Sequence, residues 1–435
     1  MAHSTPAAAH LPELHSVQAA AAGAGILAML GAAGALAARA AGGPSVVVPA
    51  GRDALPAWMA GPLAGLATPA TFEEYGVLLC ILAAGYLAAL WGAASVAPRV
   101  AIAAIVALHL VFAVAPPLFS ADVFGYLGYA RIGVLHGLSP YVDGVGAMRH
   151  DAIDPYVTWN HGVSPYGPLF TLLSYALVPL GIAGGFWAFK LLCTAASLGL
   201  VAIVWRLAAA RGHDPVAAAM FVGCNPVLLA FEVGGAHNDT LIVLVMMLGV
   251  AAALRGRSAS AGGAVIAAAA AKASAGMMLP FVLLGARRRR AALAGAAGAG
   301  LIVVAVAVAA FGTSAPNFLR TIEDQQRMVA EFSVPSQASG VLGFDGVTAG
   351  VRLACLIVLV GAVGAALLLT WRRRLDWVTG AGWAAFAGLA TSAWLLPWYV
   401  TMLLPLAAVG MSASLRAATV LLTLYLVATR VPFLM

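Results

Sequence analysis

The residues of this chain that are best suited to chemistry lie in a polar stretch, residues 120–168, within an otherwise apolar sequence. The stretch carries histidines and four aspartates, although only 9% of the residues in the chain are charged; the aspartates are Asp122, Asp143, Asp151 and Asp154. An ionisable side chain costs about 2.5–3.5 kcal/mol at mid-bilayer on insertion scales, so membrane segments rarely collect such groups without a function. We therefore predict that this stretch is the first large loop outside the membrane and the floor of an active site.

Asp122 is the candidate catalytic base. It opens a predicted helix over residues 122–136, which the following glycine ends. Helical spacing puts Asp122, Tyr126 and Tyr129 on one face. Arg131 falls on the opposite side and is a weaker candidate for substrate binding. A carboxylate flanked by tyrosines can take a proton from a sugar hydroxyl. The alternative is an aspartate that only favours the dipole at the helix start.

Two copies of Ser-Pro-Tyr enclose the remainder of the loop and contribute Tyr141 and Tyr166. Proline restricts the backbone and favours extended chain or turns. Aromatic side chains at the boundary between water and lipid either stack on a sugar or anchor the loop in the membrane. Both tyrosines are therefore candidates for substrate binding, with anchoring as the alternative.

A later turn concentrates four more polar residues, Glu232, His237, Asn238 and Asp239, between two apolar segments. Two carboxylates and a histidine in one short turn can hold a substrate that bears hydroxyl or phosphate groups. The alternative is that Asn238 or Asp239 only caps the helix that follows. The spacing is not that of a metal site, so no metal ion is expected here.

Lys272 stands alone among alanines in an apolar part of the chain. A lysine in such surroundings either extends its ammonium to water or meets an anion. A phosphate linked to a lipid would be such an anion. Arg320 and Arg327, in a second polar segment, are weaker candidates for the same role, with solvated loop charges as the alternative.

The elements that must position these groups are membrane helices. With 435 residues, 63% of them hydrophobic, the chain has the composition of an all-α polytopic membrane protein rather than a soluble domain. Its net charge of +7 comes mainly from arginines at the ends of apolar segments, which orients the segments and does not indicate nucleic-acid binding. The four cysteines lie in apolar segments, where packing is a better explanation than disulfides or metal.

If all arginine clusters lie on the cytoplasmic side, the sequence predicts about thirteen membrane-spanning helices. The N-terminus is then inside and the C-terminus outside. We predict a cytoplasmic tail over residues 1–16 and a single transmembrane domain over 17–435. Within that domain the first outer loop covers residues 119–184, with helices along the membrane surface, and the second covers 312–345. The active site then faces the outside of the plasma membrane.

Four segments between the first outer loop and the arginine cluster at 287–290 have specific predictions. Residues 167–183 are apolar enough to span, but we predict a surface helix there, since a crossing would leave the next arginines outside. The segments Asp214–Phe231 and Thr240–Leu254 are predicted to cross as two spans, the first outward and the second inward. Residues 259–286 are predicted to form two short helices that meet near Lys272, because arginines flank this stretch on both sides.

Three ordered motifs resemble those of the actinobacterial polyprenol-phosphate-mannose-dependent α-1,6-mannosyltransferases, which extend the mannan backbone of lipomannan and lipoarabinomannan. The motifs are DVFGYLGYAR from Asp122, SPYGPLF from Ser164 and VGGAHND from Val233. The resemblance covers roughly residues 100–290 by motif and the remainder by hydropathy. It implies the GT-C glycosyltransferase fold, about thirteen spans and an acid early in the first outer loop as base. Asp122 occupies that place, and the second acid that many relatives carry nearby is absent, since Ala121 and Val123 flank it.

The resemblance implies an inverting mannosyltransferase that uses polyprenyl-phosphate mannose and a glycan or glycolipid acceptor. No nucleotide or other cofactor is expected, and the other partners are membrane lipids. Lys272, together with His237, is expected to supply positive charge to the leaving phosphate. The competing classes are a transporter or flippase for lipid-linked sugars, and a GT-C transferase or ligase for another substrate. Transporters commonly show matching repeats in their two halves, and we see none in this sequence.

Overall fold

The computed structural model describes residues 10–44, 55–148 and 150–431, and all regular structure in this part of the chain is helical. The predicted tail over residues 1–16 lies mostly outside the described residues. The α-helices are α1 His10–Ala40, α2 Ala57–Ala60, α3 Phe72–Trp91, α4 Pro98–Ala113, α5 Asp122–His136, α6 Pro168–Tyr175, α7 Gly181–Ala210, α8 Pro215–Gly223, α9 Asp239–Leu254, α10 Ser258–Ala269, α11 Met278–Gly285, α12 Arg289–Phe311, α13 Phe318–Arg327, α14 Val334–Val341, α15 Ala349–Trp371, α16 Trp377–Thr391, α17 Leu403–Val409 and α18 Ala413–Ala428.

Five helical stretches of the described chain are long and apolar enough to cross a membrane. They are His15–Ala40, Phe72–Trp91, Pro168–Ala210, Arg289–Arg327 and Ala349–Trp371. Several other apolar helices are shorter, such as α9 and α18. The prediction of an all-helical membrane protein is supported, and the number of about thirteen crossings stays a prediction.

Within residues 167–183 the structure has the short helix α6, a 3₁₀ turn over Val178–Leu180 and the first residues of α7. Helix α6 has eight residues, a length of about 12 Å, which cannot cross a hydrocarbon core of about 30 Å. A turn with Gly181 at φ 70° then leads into the 30-residue helix α7. The structure thus agrees with the prediction that this stretch does not span on its own.

The predicted span over Asp214–Phe231 is not one continuous helix in the structure, and its crossing of the membrane stays a prediction. Helix α8 ends at Gly223, and the chain resumes as a π-helix over Leu228–Val233. Pro226 lacks the N–H that a continuing helix needs. The Oδ1 atom of Asn225 accepts hydrogen bonds from the N–H groups of Val227 and Leu228, at 3.0 and 3.1 Å. Local hydrogen bonds thus satisfy two backbone donors at the break in the helix.

Two other local predictions are confirmed. Helix α5 begins at Asp122 and ends at His136, where Gly137 takes the left-handed conformation with φ 66°. The segment before the arginine cluster splits into α10 and α11, with Lys272 at their junction and a 3₁₀ turn over Ala273–Met277.

The core consists of two apolar clusters. The larger one joins helices along most of the chain, with α1 packed against α3. The smaller one lies under the polar stretch of residues 120–168, called the polar loop below. It contains the inner face of α5 together with Phe186 and Phe189 of α7. Edge-to-face contacts of Trp58 with Phe124 and Phe186, at 6.4 and 5.8 Å between ring centroids, tie the loop to α7. This second cluster fixes α5, and with it Asp122, to the membrane helices.

Candidate functional site

A pocket of about 610 Å³ lies where the polar loop meets the starts of α5 and α9, the Lys272 turn, α13 and the turn before α17. This volume is within the range of small-molecule sites. Its wall includes groups from segments far apart in sequence, among them Asp122, Tyr126, Tyr129, Trp159, His161, Tyr166, Asn238, Asp239, Lys272, Asp324, Trp394, Trp398 and Tyr399. The pocket therefore combines carboxylates, one lysine and a largely aromatic surface.

Asp122 lies on the pocket wall at the first turn of α5, with its side chain 21% exposed. Its own N–H donates to the Oγ of Ser120 at 3.0 Å, which fixes the start of the helix. Burial raises the pKa of Asp122 to about 6, against the opposing effects of the Ser120 hydroxyl and the positive charge of Lys272. The carboxyl is thus ionised at neutral pH and more basic than an ordinary aspartate.

His237 lies directly behind Asp122. Its Nδ1 is 3.6 Å from the Oδ2 of Asp122 and 3.4 Å from the hydroxyl of Tyr126. The ring is fully buried and stacks on Trp398, with 3.6 Å between centroids. Burial, and after it the charge of Lys272, lowers the pKa of His237 well below its usual range. His237 is thus buried behind the pocket wall, and its expected role as a positive charge for the phosphate stays a prediction.

Lys272 presents its ammonium to the pocket beside Asp239. The Nζ atom donates to the Oδ1 of Asp239 at 2.6 Å and lies 4.5 Å from the centre of the Tyr399 ring. An ammonium carries three N–H groups. Asp239 accepts a hydrogen bond from one of these N–H groups. The Lys272 side chain is 21% exposed, so an anion in the pocket can reach the other N–H groups.

The segments that lead to Asp122 and His237 are held in strained conformations. Phe119 and Ala236 both have positive φ, 61° and 56°, which is uncommon for residues other than glycine and costs on the order of 1–3 kcal/mol. Lys190, buried in α7, donates to the carbonyls of Ala115, Pro116 and Gly234 and so clamps both segments.

The structure separates the predicted site residues into three groups. Those that line the pocket are Asp122, Tyr126, Tyr129, Tyr166, Asn238, Asp239 and Lys272. Glu232 and His237 are buried behind it, where Glu232 accepts the N–H of Thr240 at 2.6 Å. Arg131, Tyr141 and Arg320 are outside its wall.

These last three residues contact other parts of the protein or lie away from the wall, and their roles as substrate ligands stay predictions. Arg131 points away from the pocket and pairs with Asp151 at 2.8 and 3.1 Å. Tyr141 is buried and donates to the carbonyl of Tyr166 at 3.1 Å. Arg320 lies on α13, which turns a different face, that of residues 321, 324, 325 and 328, toward the pocket.

Sequence reasoning missed the aromatic and acidic residues that complete the wall. The turn before α17 supplies Trp394, Trp398 and Tyr399, and α13 supplies Asp324. Trp394 contacts Trp159 of the polar loop edge to face, with 6.4 Å between centroids. The signal available in the sequence was the Pro-Trp-Tyr cluster at residues 397–399, since aromatic side chains with polar groups favour the edge of a membrane.

We expect Gly167→Ala to lower both activity and thermal stability. A Cβ at Gly167 would lie 2.1 Å from the carbonyl oxygen of Ala270, and the Gly167 N–H donates to the carbonyl of Ala271 at 3.0 Å. The added methyl must displace the turn that carries Lys272. The matched control is Gly137→Ala at a left-handed position with open space, which strains the backbone without moving that turn. Melting temperature and the initial rate of catalysis measure both effects, and an unchanged rate in Gly167→Ala would contradict the expectation.

Comparison with known proteins places this arrangement in a family. The model of the α-(1→6)-mannopyranosyltransferase N-terminal domain matches residues 22–288, a range that contains both Asp122 and Lys272. An α-(1→6)-mannopyranosyltransferase of Mycobacterium tuberculosis is 33% identical over 146 residues, which is 32% of this chain and 24% of that protein. Mannopyranosyltransferase A of the same organism is 34% identical over 140 residues, covering 31% and 27%. Mannopyranosyltransferase B of Corynebacterium glutamicum is 28% identical over 144 residues, covering 31% and 23%.

The matched region spans about a quarter of the length of these curated relatives. No solved structure matches the chain significantly. The family model nevertheless covers more than half of the sequence, and the resemblance predicted from the motifs is confirmed. The chain is a helical membrane protein and belongs to the α-(1→6)-mannopyranosyltransferase family.

Proposed function

We propose that this protein transfers mannose from polyprenyl-phosphate mannose to a mannan or glycolipid acceptor at the extracytoplasmic face of the plasma membrane, with Asp122 as general base. The observation that carries the proposal is the joint placement of the Asp122 carboxylate and the Lys272 ammonium on the wall of one pocket. A base and a cation in one cavity match the two needs of the reaction, which are to remove a proton and to accept a phosphate leaving group. The names of the relatives support mannosyl transfer as the activity.

The proposed step is a single displacement. Asp122 takes the proton of the acceptor hydroxyl as that oxygen forms a bond to the anomeric carbon. The bond from that carbon to the phosphate oxygen breaks, and polyprenyl phosphate leaves from the opposite face. One displacement inverts the anomeric centre, so a β-linked donor yields an α-linked product. The neutral ring of His237, 3.6 Å from Asp122, supports the position of the carboxylate without competing for the proton.

The leaving phosphate needs positive charge more than a proton. Lys272 supplies this charge from the pocket wall, and Asp239 holds its ammonium in place at 2.6 Å. The aromatic residues Tyr129, Trp159 and Trp394 offer flat surfaces on which sugar rings can stack. Asp324 on α13 adds a carboxylate that can accept hydrogen bonds from sugar hydroxyls.

The proposal is tested with the full chain in membranes, radiolabelled polyprenyl-phosphate mannose and a short α-mannoside acceptor. Formation of a longer mannoside with an α-linkage supports the transferase. Movement of the labelled lipid across the bilayer without a new glycosidic bond would instead support the transporter class and overturn the proposal.

The pH dependence of transfer should follow Asp122. Because the pKa of this group is raised to about 6, it is protonated below that pH and cannot accept the acceptor proton. We therefore expect kcat/KM to fall about tenfold for each pH unit below 6 and to level off above it. Enzyme incubated at pH 5 and returned to pH 7.5 should recover its activity, which separates titration from unfolding. A flat profile between pH 5 and 8 would remove Asp122 as the base.

A further inference from the structure

A second, strongly basic cavity lies at the end of the helix bundle opposite to the catalytic pocket. It has a volume of about 720 Å³ and is lined by Arg287, Arg289, Arg373 and Arg374. The far end of α12, at Phe311, contacts Tyr141 of the polar loop, with 4.9 Å between ring centroids. Since α12 has 23 residues and a length of about 35 Å, the basic cavity is separated from the catalytic pocket by the thickness of a membrane.

The positive charge of this cavity is not neutralised within the described chain. The acidic residue in its wall is Asp376, which already pairs with Arg211 at 2.7 Å and caps α16 through the N–H of Thr379. None of the four arginines has a carboxylate within ion-pair distance among the described residues. Four exposed guanidinium groups in one concave surface repel each other, and an anion bound there relieves that repulsion.

An apolar crevice adjoins the basic cavity. It has a volume of about 620 Å³ and shares Leu284 and Arg289 with the cavity. Helices α11, α12 and α15 form its walls, with residues that include Pro280, Leu283, Leu293, Gly364, Leu367, Leu368 and Trp371. Leu293 is 50% exposed and Leu368 41% exposed, so the crevice opens on the lipid-facing side of the bundle.

We propose that the crevice and the basic cavity together bind one anionic phospholipid, with its phosphate group against the arginines and an acyl chain between α12 and α15. Arginine recognises phosphate by paired N–H donors, and basic pockets between membrane helices on the cytoplasmic side suit anionic headgroups. The positive-inside pattern assigns this end of the bundle to the cytoplasmic leaflet. A free anion would satisfy the arginines alone, whereas the continuity of the two cavities through Leu284 and Arg289 fits a molecule with both a charged and an apolar part.

The experiment compares lipid binding in two variants of equal charge. One replaces Arg287, Arg289 and Arg374, which line the cavity, with glutamine. The matched control replaces Arg288, Arg290 and Arg372, which belong to the same two clusters but do not line it. Both lose three charges from the same end of the chain. Arg373 is left unchanged because its backbone has a positive φ of 57°. The cavity variant then alters charge without a substitution in this strained turn.

Delipidated full-length protein is titrated with phosphatidylglycerol, with phosphatidylcholine and with inorganic phosphate, and retained lipid is counted by native mass spectrometry alongside the melting temperature. The wild-type chain and the control variant should retain one phosphatidylglycerol. The cavity variant should bind it at least tenfold more weakly. Phosphatidylcholine and inorganic phosphate should leave the melting temperature of the wild-type chain unchanged.

A further variant tests the apolar half. A Cβ at Gly364 meets no atom within 4 Å, so Gly364→Trp places a ring in the crevice without a backbone clash. It should weaken phosphatidylglycerol binding severalfold while all arginines remain. An equal loss of phosphatidylglycerol binding in the cavity variant and in the control variant would show a general charge effect and overturn the proposal. If inorganic phosphate alone raises the melting temperature of the wild-type chain, the cavity binds a simple anion and not a lipid. That result would overturn the proposal too.

Discussion

Asp122→Asn is expected to lower kcat/KM for mannosyl transfer by about 10²–10⁴-fold, the usual contribution of a general base. Asparagine keeps the size of the side chain and its place at the start of α5, but it cannot accept the acceptor proton. The rate is measured with labelled polyprenyl-phosphate mannose and a short mannoside acceptor in membranes. Full activity in this variant would remove Asp122 from the mechanism.

The same substitution should not destabilise the protein. Burial raises the folded-state pKa of Asp122 from its ordinary value near 3.8 to about 6, so the ionised form is disfavoured by folding. Stability from this group therefore falls as pH rises through that window, and a neutral asparagine removes the cost at pH 7. We expect a melting temperature equal to or above that of the wild-type protein, which distinguishes lost chemistry from lost structure.

The matched control is Asp143→Asn. Asp143 belongs to the same loop but does not line the pocket, and its Oδ2 accepts the N–H of Ser139 at 3.1 Å. An asparagine oxygen can accept the same hydrogen bond. This variant should keep transfer within about twofold of the wild-type rate. A loss as large as that of Asp122→Asn would mean that any loop carboxylate matters and would weaken the assignment of the base.

Lys272→Met is expected to lower kcat by about 10²–10³-fold, the cost of removing one group that stabilises developing negative charge. Methionine keeps the length and apolar stem of lysine without the ammonium. Lys272→Arg retains the charge and should recover part of the rate. Single-turnover measurements with saturating donor separate this effect from weaker donor binding, because in the proposed mechanism the charge on the leaving phosphate grows in the transition state.

A structural role of Lys272 is tested by a double variant. Lys272→Met alone leaves Asp239 as a buried carboxylate without its partner, since the two groups lie 2.6 Å apart and Asp239 is buried. Adding Asp239→Asn removes that unpaired charge and should restore the melting temperature. If Lys272 contacts the phosphate, activity stays low in the double variant. Recovery of the rate together with stability would show that the lysine only keeps Asp239 paired.

The sequence by itself determined the features that depend on local order. Helical spacing placed Asp122, Tyr126 and Tyr129 on one face, and all three line the pocket. Charge on both sides of residues 259–286 required a chain reversal, and Lys272 lies at that reversal. These predictions succeed because helix periodicity and charge sorting act over a few turns of a single segment.

Tertiary structure alone decided which of the remaining polar groups reach the pocket. Arg131 meets Asp151 and His237 is covered by Trp398, pairings that no local pattern specifies. The aromatic wall and Asp324 come from segments more distant along the chain, brought to Asp122 by the packing of helices. Composition and periodicity indicate which face of a helix is buried. Which other segment packs against that face depends on the global arrangement of the helices. At this site, that arrangement decides whether a polar side chain faces the pocket or contacts another part of the protein.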